Sequence, residues 1–310
     1  MTHAVQQAVV TGASGFLGRH LVAALEQQGI SVITMGTGRG DAARPHLCIH
    51  RLGDATQHYE ALCTLASVPA WIFHLAGTVH TQHMEEVNVR WARALLDATA
   101  RLPQQPLVAL VGSAAEYGPQ QANPCSRYGE WVSEEQPCTP VSEYGKSKLA
   151  QTCVGLETAS RQPVVVFRPF NILGRGMPAH LALGNFIRQA QSLPPISSGR
   201  ERCIRTGPLH AVRDFIEIEI CVEAMIQLAR NPNAYGQIVN ICTGLGTKLH
   251  ALVDALLAQL EPPVNLCMQT PSDVSADVVV GSTDKLRLLG VHPTPCNISE
   301  CIRRMLAQSA

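Results

Sequence analysis

The chain has 310 residues with 24 basic and 24 acidic side chains, a formal net charge of zero, so no charge excess points to nucleic acid, and its length suits one large or two joined domains. Its longest apolar runs, such as 251–257 with Asp254 inside it, are far shorter than the about 20 residues of a membrane span, so no membrane partner is expected, and residues 1–4 show no export signal. Eleven cysteines without a C-x-x-C pair fit a reducing, cytoplasmic setting as small apolar fillers, and the 12 histidines, His80 and His83 among them, lack the helical i,i+4 pair with a third ligand that a metal site requires.

Residues 5–10 read as a strand and 15–28 as a helix. Between them Thr11-Gly12-Ala13-Ser14-Gly15-Phe16-Leu17-Gly18 is a glycine-rich turn that opens the helix. There Gly12 and Gly15 let the backbone turn and approach a pyrophosphate, the turn with Ser14, Phe16 and Leu17 supplies free amides at the positive end of the helix dipole, and Gly18 permits close helix packing. The next strand, 30–35, ends without the acid that binds an NAD ribose. Arg39 follows and tolerates a 2′-phosphate, which leans the cofactor towards NADP(H), with NAD(H) as the alternative. A short strand over 47–51 leads to Asp54, placed either to accept from an adenine amino group or to turn the chain.

A helix over 57–67, a strand over 70–75, a helix over 85–101 and a strand over 107–112 continue the alternation. This pattern predicts an α/β fold, a doubly wound parallel Rossmann sheet with helices on both faces. Ser113 closes the last of these strands, at the carboxyl edge where a nicotinamide would reach, and there it can hydrogen-bond a substrate carbonyl or serve as an ordinary turn serine. After a loop rich in Pro, Gly and Ser to about 140, Tyr144 and Lys148 share one helix face at i,i+4. The chain has only four lysines against 20 arginines, so two lysines within three residues suggest a need for an ammonium. A cation beside the phenol is expected to lower its pKa and make Tyr144 an acid-base group. Beyond a strand over 163–167 come a loop over 193–199, a helix over 215–230, a strand over 237–241 and a helix over 249–260. Residues 1–166, rejoined by about 208–243, are read as the dinucleotide-binding domain, and 167–207 with 244–310 as a smaller C-terminal substrate-binding lobe.

Taken together, Thr11 to Gly18, Ser113, and Tyr144 with Lys148 resemble the extended short-chain dehydrogenase/reductase family acting on nucleotide sugars, and the resemblance runs over almost the whole chain. His74-Leu75-Ala76-Gly77 and Asn88 also match that family's cofactor domain. The resemblance implies that Tyr144 is the catalytic acid/base, that Lys148 lowers its pKa and holds the nicotinamide ribose, that Ser113 orients the carbonyl, and that Leu75, Ala76 and Gly77 border the cofactor. It also implies a nucleotide-sugar substrate and a homodimer. Phe167 to Gly174, Ala211 to Phe215, Asn240 to Thr247, Pro271 to Val274 and Gly281-Ser282 resemble the GDP-4-keto-6-deoxymannose reductases within the family. That implies Asn171 and Arg213 near the substrate's pyrophosphate and nucleoside, a task suited to the planar arginine fork; the alternative for Arg213 is a salt bridge to Asp214 or Glu217.

The chain departs from the family in two informative places. Where dehydratases carry an Asp-Glu pair, it has Ala114 and Ala115, and the position of a further phosphate-binding arginine is Thr270. The expected activity is therefore NAD(P)H-dependent reduction of the 4-keto group of a nucleotide-linked 4-keto-6-deoxyhexose. A nucleotide-sugar 4-epimerase with tightly bound NAD is the alternative, followed by a non-catalytic NADP-sensing protein.

Overall fold

Strands β1 (Gln7–Thr11), β2 (Ser31–Gly36), β3 (His46–Cys48), β4 (Trp71–His74), β5 (Leu107–Val111) and β6 (Val164–Pro169) are short, and all but β3, which buries only Leu47, are largely apolar and almost wholly buried. In the computed structural model, which describes residues 6–119, 131–268 and 277–307, they form with Ile238–Ile241 a seven-stranded parallel sheet. Its order is Ile238–Ile241, β6, β5, β4, β1, β2, β3. Successive side chains of a strand point to opposite faces. Thus Val10, Phe73, Ala109 and Phe167 pack on one side with helices α1 (Phe16–Gln27) and, later in the chain, Ile218–Ala229, while Val9, Ile72, Val108 and Val166 pack on the other. Helices α2 (Ala55–Cys63), α3 (Trp91–Thr99) and α4 (Glu143–Thr158) follow in sequence, and residues of all three join that second core. Each fully buried Val, Leu, Ile or Phe contributes roughly 1.5–3 kcal/mol, so a continuous apolar strand buried on both faces specifies the sheet interior.

A second, four-stranded sheet is built around Val212–Glu217, which pairs with Gly246–Lys248, Val278–Val279 and Asn171–Leu173. Of the later helices α5 (Ala182–Gln191), α6 (Ile218–Ala229) and α7 (Leu249–Leu257), α6 packs on the parallel sheet, while α5, α7 and Ile298–Leu306 share a separate core around Phe186, Ile204, Leu252 and Ile302. The predicted helix over 215–230 begins later than expected, because Phe215 and Ile216 belong to the central strand and the helix starts at Ile218. Asp214 explains the local pattern. Its buried carboxylate accepts hydrogen bonds from Thr243 N and Oγ1 and from Gly244 N, which pins the strand to the turn after Ile241.

The expectation that the cysteines serve mostly as small apolar fillers in a reducing setting meets an exception in one place. Cys203 and Cys267 are disulfide-bonded across the parallel pair Cys203–Thr206 and Asn265–Met268, a juxtaposition of residues 64 apart that spacing alone does not reveal. No helix among the described residues is long and apolar enough to cross a membrane.

Candidate active site

The carboxyl ends of the parallel strands open into a cavity of about 940 Å3. Gly12, Gly15, Phe16, Leu17 and Gly18 form one wall. Gly12 has a φ of +66°, and a Cβ there would lie 2.7 Å from Ala76 N; at Gly18 it would lie 2.0 Å from Gly12 O. Both close approaches are backbone against backbone, so only glycine fits. Gly15 caps α1 without any side chain, which leaves the first-turn amides available to an anion at the positive helix end. These features fit a dinucleotide pyrophosphate. Gly18→Ala is expected to abolish measurable dinucleotide binding by isothermal titration; wild-type affinity in a folded variant would contradict this use of the turn.

The adjoining wall is the turn after β4. Buried Thr11 Oγ1 accepts from Ala76 N at 3.1 Å and lies 2.9 Å from His74 Nδ1. Burial pushes the His74 pKa down to about 3, so the ring stays neutral. Asn88, buried in the wide turn Glu85–Arg90, accepts from Thr78 N at 2.8 Å and donates to Thr78 O and Ser147 Oγ. It thereby ties the β4 turn to α4.

Ser113, Tyr144 and Lys148 all line the cavity. Ser142 caps α4 by accepting from Gly145 N, which starts the helix two residues before Tyr144 and puts the phenol and ammonium on one face. The Ser113 side chain acts on the Tyr144 phenol, favouring its ionisation. Lys148 is buried, and a Cβ on Gly77 would lie 3.7 Å from its Nζ.

The electrostatics differ from the sequence expectation. Burial raises the Tyr144 pKa, and the Ser113 side chain opposes it. Lys148 Nζ is engaged by Gln151 Oε1 at 2.5 Å, and burial pushes its own pKa down to about 8. The phenol is therefore held as a proton donor rather than eased towards phenolate. With the unfolded lysine titrating near 10.5, the unfolded chain binds more protons than the folded one between about pH 8 and 10, so this group's contribution to stability rises with pH over that window. Stability curves of wild type and Lys148→Met should converge or cross in favour of wild type by roughly 1–3 kcal/mol from pH 8 to 10; parallel curves would contradict the shift.

On the far wall stand Asn171, Arg213 and Asp277. Asn171 Nδ2 donates to Asp214 O at 2.9 Å. Arg213 pairs neither with Asp214 nor with Glu217: its Nη2 meets Asp277 Oδ2 at 2.6 Å and its Nη1 donates to Asp277 O at 2.7 Å. Sequence reasoning missed Asp277, His80, His180 and Phe170 as lining residues. Ser14, Ala76, Arg39 and Asp54 do not line the cavity. Ala76 is buried beneath it, Arg39 is exposed on the loop after β2, and Asp54 caps α2 through Thr56 N and Gln57 N while pairing with Arg51. Thr270 and residues 271–274 lie outside the described residues.

The model of the NAD dependent epimerase/dehydratase family matches residues 8–242. The chain is 28% identical over 264 residues to dTDP-6-deoxy-L-talose 4-dehydrogenase (NAD(P)(+)) of Kitasatospora kifunensis, covering 83% of this chain and 80% of that protein. It is 26% identical over 271 residues to GDP-6-deoxy-D-mannose reductase of Pseudomonas aeruginosa, covering 83% and 81%. In fold it is similar to the structure of RMD from Pseudomonas aeruginosa complexed with NADPH, with a TM-score of 0.79, 23% identity and coverage of 99% and 98%.

Proposed function

The chain belongs to the NAD dependent epimerase/dehydratase family, and on that premise we propose that it reduces the 4-keto group of a nucleotide-linked 4-keto-6-deoxyhexose with NADPH. One observation carries this reading. Among the described residues the cavity that holds Tyr144, Ser113 and Lys148 has a single lining carboxyl, Asp277, and that carboxyl is committed to Arg213. Dehydration of a sugar needs further acid and base groups at the reacting carbons, and the positions that would supply them are Ala114 and Ala115. Reduction needs one proton donor and a carbonyl positioner.

When bound, the nicotinamide supplies the hydride to the carbonyl carbon. Tyr144 donates its phenolic proton to the carbonyl oxygen as negative charge develops there, and Ser113 holds that oxygen in line with the phenol. Lys148, against Gly77, holds the ribose beside the nicotinamide. Asn171 and Arg213 take the nucleotide end of the substrate, with Asp277 orienting the Arg213 fork. Arg39, and the absence of an acid at the end of β2, support NADP(H) over NAD(H). A homodimer belongs to the same proposal, and sedimentation would test it. The 6-deoxyhexose is supported by the activities named for both relatives, and the 4-position by the name of the Kitasatospora kifunensis protein.

The raised phenol pKa gives the direction a pH signature. Reduction consumes the protonated phenol and oxidation of the alcohol needs the phenolate. Reduction rates should therefore fall, and oxidation rates rise, as pH increases through the Tyr144 pKa; opposite slopes would contradict the assigned donor. Cofactor absorbance tests the reading against a 4-epimerase. A reductase oxidises added NADPH stoichiometrically with keto sugar, whereas an epimerase retains its cofactor through purification and turns over with none added.

A further inference from the structure

Glu116 is a fully buried carboxylate that does not line the cavity. It is nonetheless bound to three elements around the reactive groups, the Ser113 turn, α4 and β6. Its Oε1 accepts from Ser113 N at 2.8 Å. Its Oε2 accepts from Thr152 Oγ1 at 2.9 Å, one helical turn beyond Lys148 on α4, and from Arg168 Nε at 2.8 Å, on β6 just before Asn171. The carboxylate fills space that Gly112 leaves open, because a Cβ on Gly112 would lie 2.3 Å from Oε1. Arg168 in turn stacks over the Tyr117 ring at 4.7 Å, and Tyr117 donates to Asn240 Oδ1 at 2.7 Å.

We propose that Glu116 is a positioning residue for the reduction: a single buried anion holds the Ser113 turn, the Tyr144 helix and β6 in the mutual register that aligns hydroxyl with phenol. The inference rests on the reading of Ser113 and Tyr144 as the reactive pair. Two cavity-lining groups on different elements keep their mutual geometry only if those elements are fixed to each other, and a displacement of about 1 Å at a reacting group costs on the order of a hundredfold in rate. A carboxylate suits the task because it accepts several charge-assisted bonds at once, and Arg168 makes its burial tolerable.

Glu116 also reaches the site through its charge. The charged and titratable groups around it are Arg168 on β6, Lys148 on α4, and Tyr117 and Cys138 beside the turn; those acting on the phenol are Ser113 and Glu116 itself, whose negative charge raises the Tyr144 pKa. Removing that charge should ease the phenol towards ionisation.

Two sets of variants test the proposal. Thr152→Val cuts the strut between α4 and Glu116 while leaving both charges in place, and Thr152→Ser restores the hydroxyl. Expected are a fall in kcat of about ten- to hundredfold for Thr152→Val with the KM for NADPH unchanged, and recovery with Thr152→Ser. The double variant Glu116→Gln/Arg168→Met removes both charges together. In it the Tyr144 phenol, followed as the ultraviolet difference against the same protein carrying Tyr144→Phe, should titrate at lower pH than in wild type. Wild-type kcat in Thr152→Val together with an unchanged phenol titration in the folded double variant would overturn the proposal. If wild type itself reduces no keto sugar, the functional reading fails, and the phenol titration, which needs no substrate, still decides whether Glu116 acts on Tyr144.

Discussion

Tyr144→Phe lowers turnover by about 10^2–10^4-fold while leaving dinucleotide affinity within a few-fold of wild type. The magnitude is that of removing a positioned general acid. Phenylalanine keeps the ring that lines the cavity and deletes only the hydroxyl, so the loss falls on kcat and not on binding. Ser113, held at the start of the Ala114–Glu116 turn, cannot replace it, because an aliphatic hydroxyl is a far weaker acid than a phenol and hydrogen-bonds the oxygen without giving up its proton. Steady-state kinetics with NADPH, paired with titration calorimetry of the cofactor, checks both halves. A variant with full turnover would remove Tyr144 from the chemistry.

Arg168→Leu destabilises the fold by about 3–5 kcal/mol, the usual cost of breaking a buried ion pair from one side. Arg168 and Glu116 are only 2% and 0% exposed, so the substitution strands a carboxylate in the core without its counter-charge. It also removes the guanidinium stacked on Tyr117. The melting temperature should fall by roughly 10 °C. The double variant Glu116→Gln/Arg168→Met should recover most of that loss, since replacing both partners with neutral groups of similar shape is often near neutral in stability. Equal melting of wild type and Arg168→Leu would contradict the account of this pair.

How much of this was legible beforehand depended on the range of each interaction. The Rossmann half was readable because the alternation of apolar runs and amphipathic helices is local, and so was the glycine turn, whose cause lies within Thr11 to Gly18. The i,i+4 spacing of Tyr144 and Lys148 placed them on one face without any tertiary knowledge. The electrostatics were not readable. Whether an ammonium lowers a phenol pKa depends on burial and on competing acceptors, and Gln151 Oε1 claims Lys148 Nζ from the next turn. Arg213 illustrates the same limit: two acids close in sequence, Asp214 and Glu217, were the natural partners. Asp214 is instead consumed by the Thr243–Gly244 turn, and Asp277, 64 residues away, takes the arginine. Glu116 looked like an unremarked residue between Ala115 and Tyr117, and its importance appears only when Arg168 and Thr152 arrive from β6 and α4. The small sheet was largely missed because strands such as Val278–Val279 and Gly246–Lys248 are two and three residues long and exist only through pairing with Val212–Glu217.

The central claim is that this cavity transfers hydride to a sugar ketone with Tyr144 supplying the proton. The most direct measurement incubates the protein with NADPH deuterated at the transferring position of the nicotinamide C4 and with GDP- or dTDP-linked 4-keto-6-deoxyhexose, and follows both cofactor absorbance and the product by NMR. The account predicts one deuterium at sugar C4 for each NADPH oxidised, in wild type and not in Tyr144→Phe. A ketone left unreduced while NADPH persists, or a C4 alcohol formed without deuterium, would contradict it.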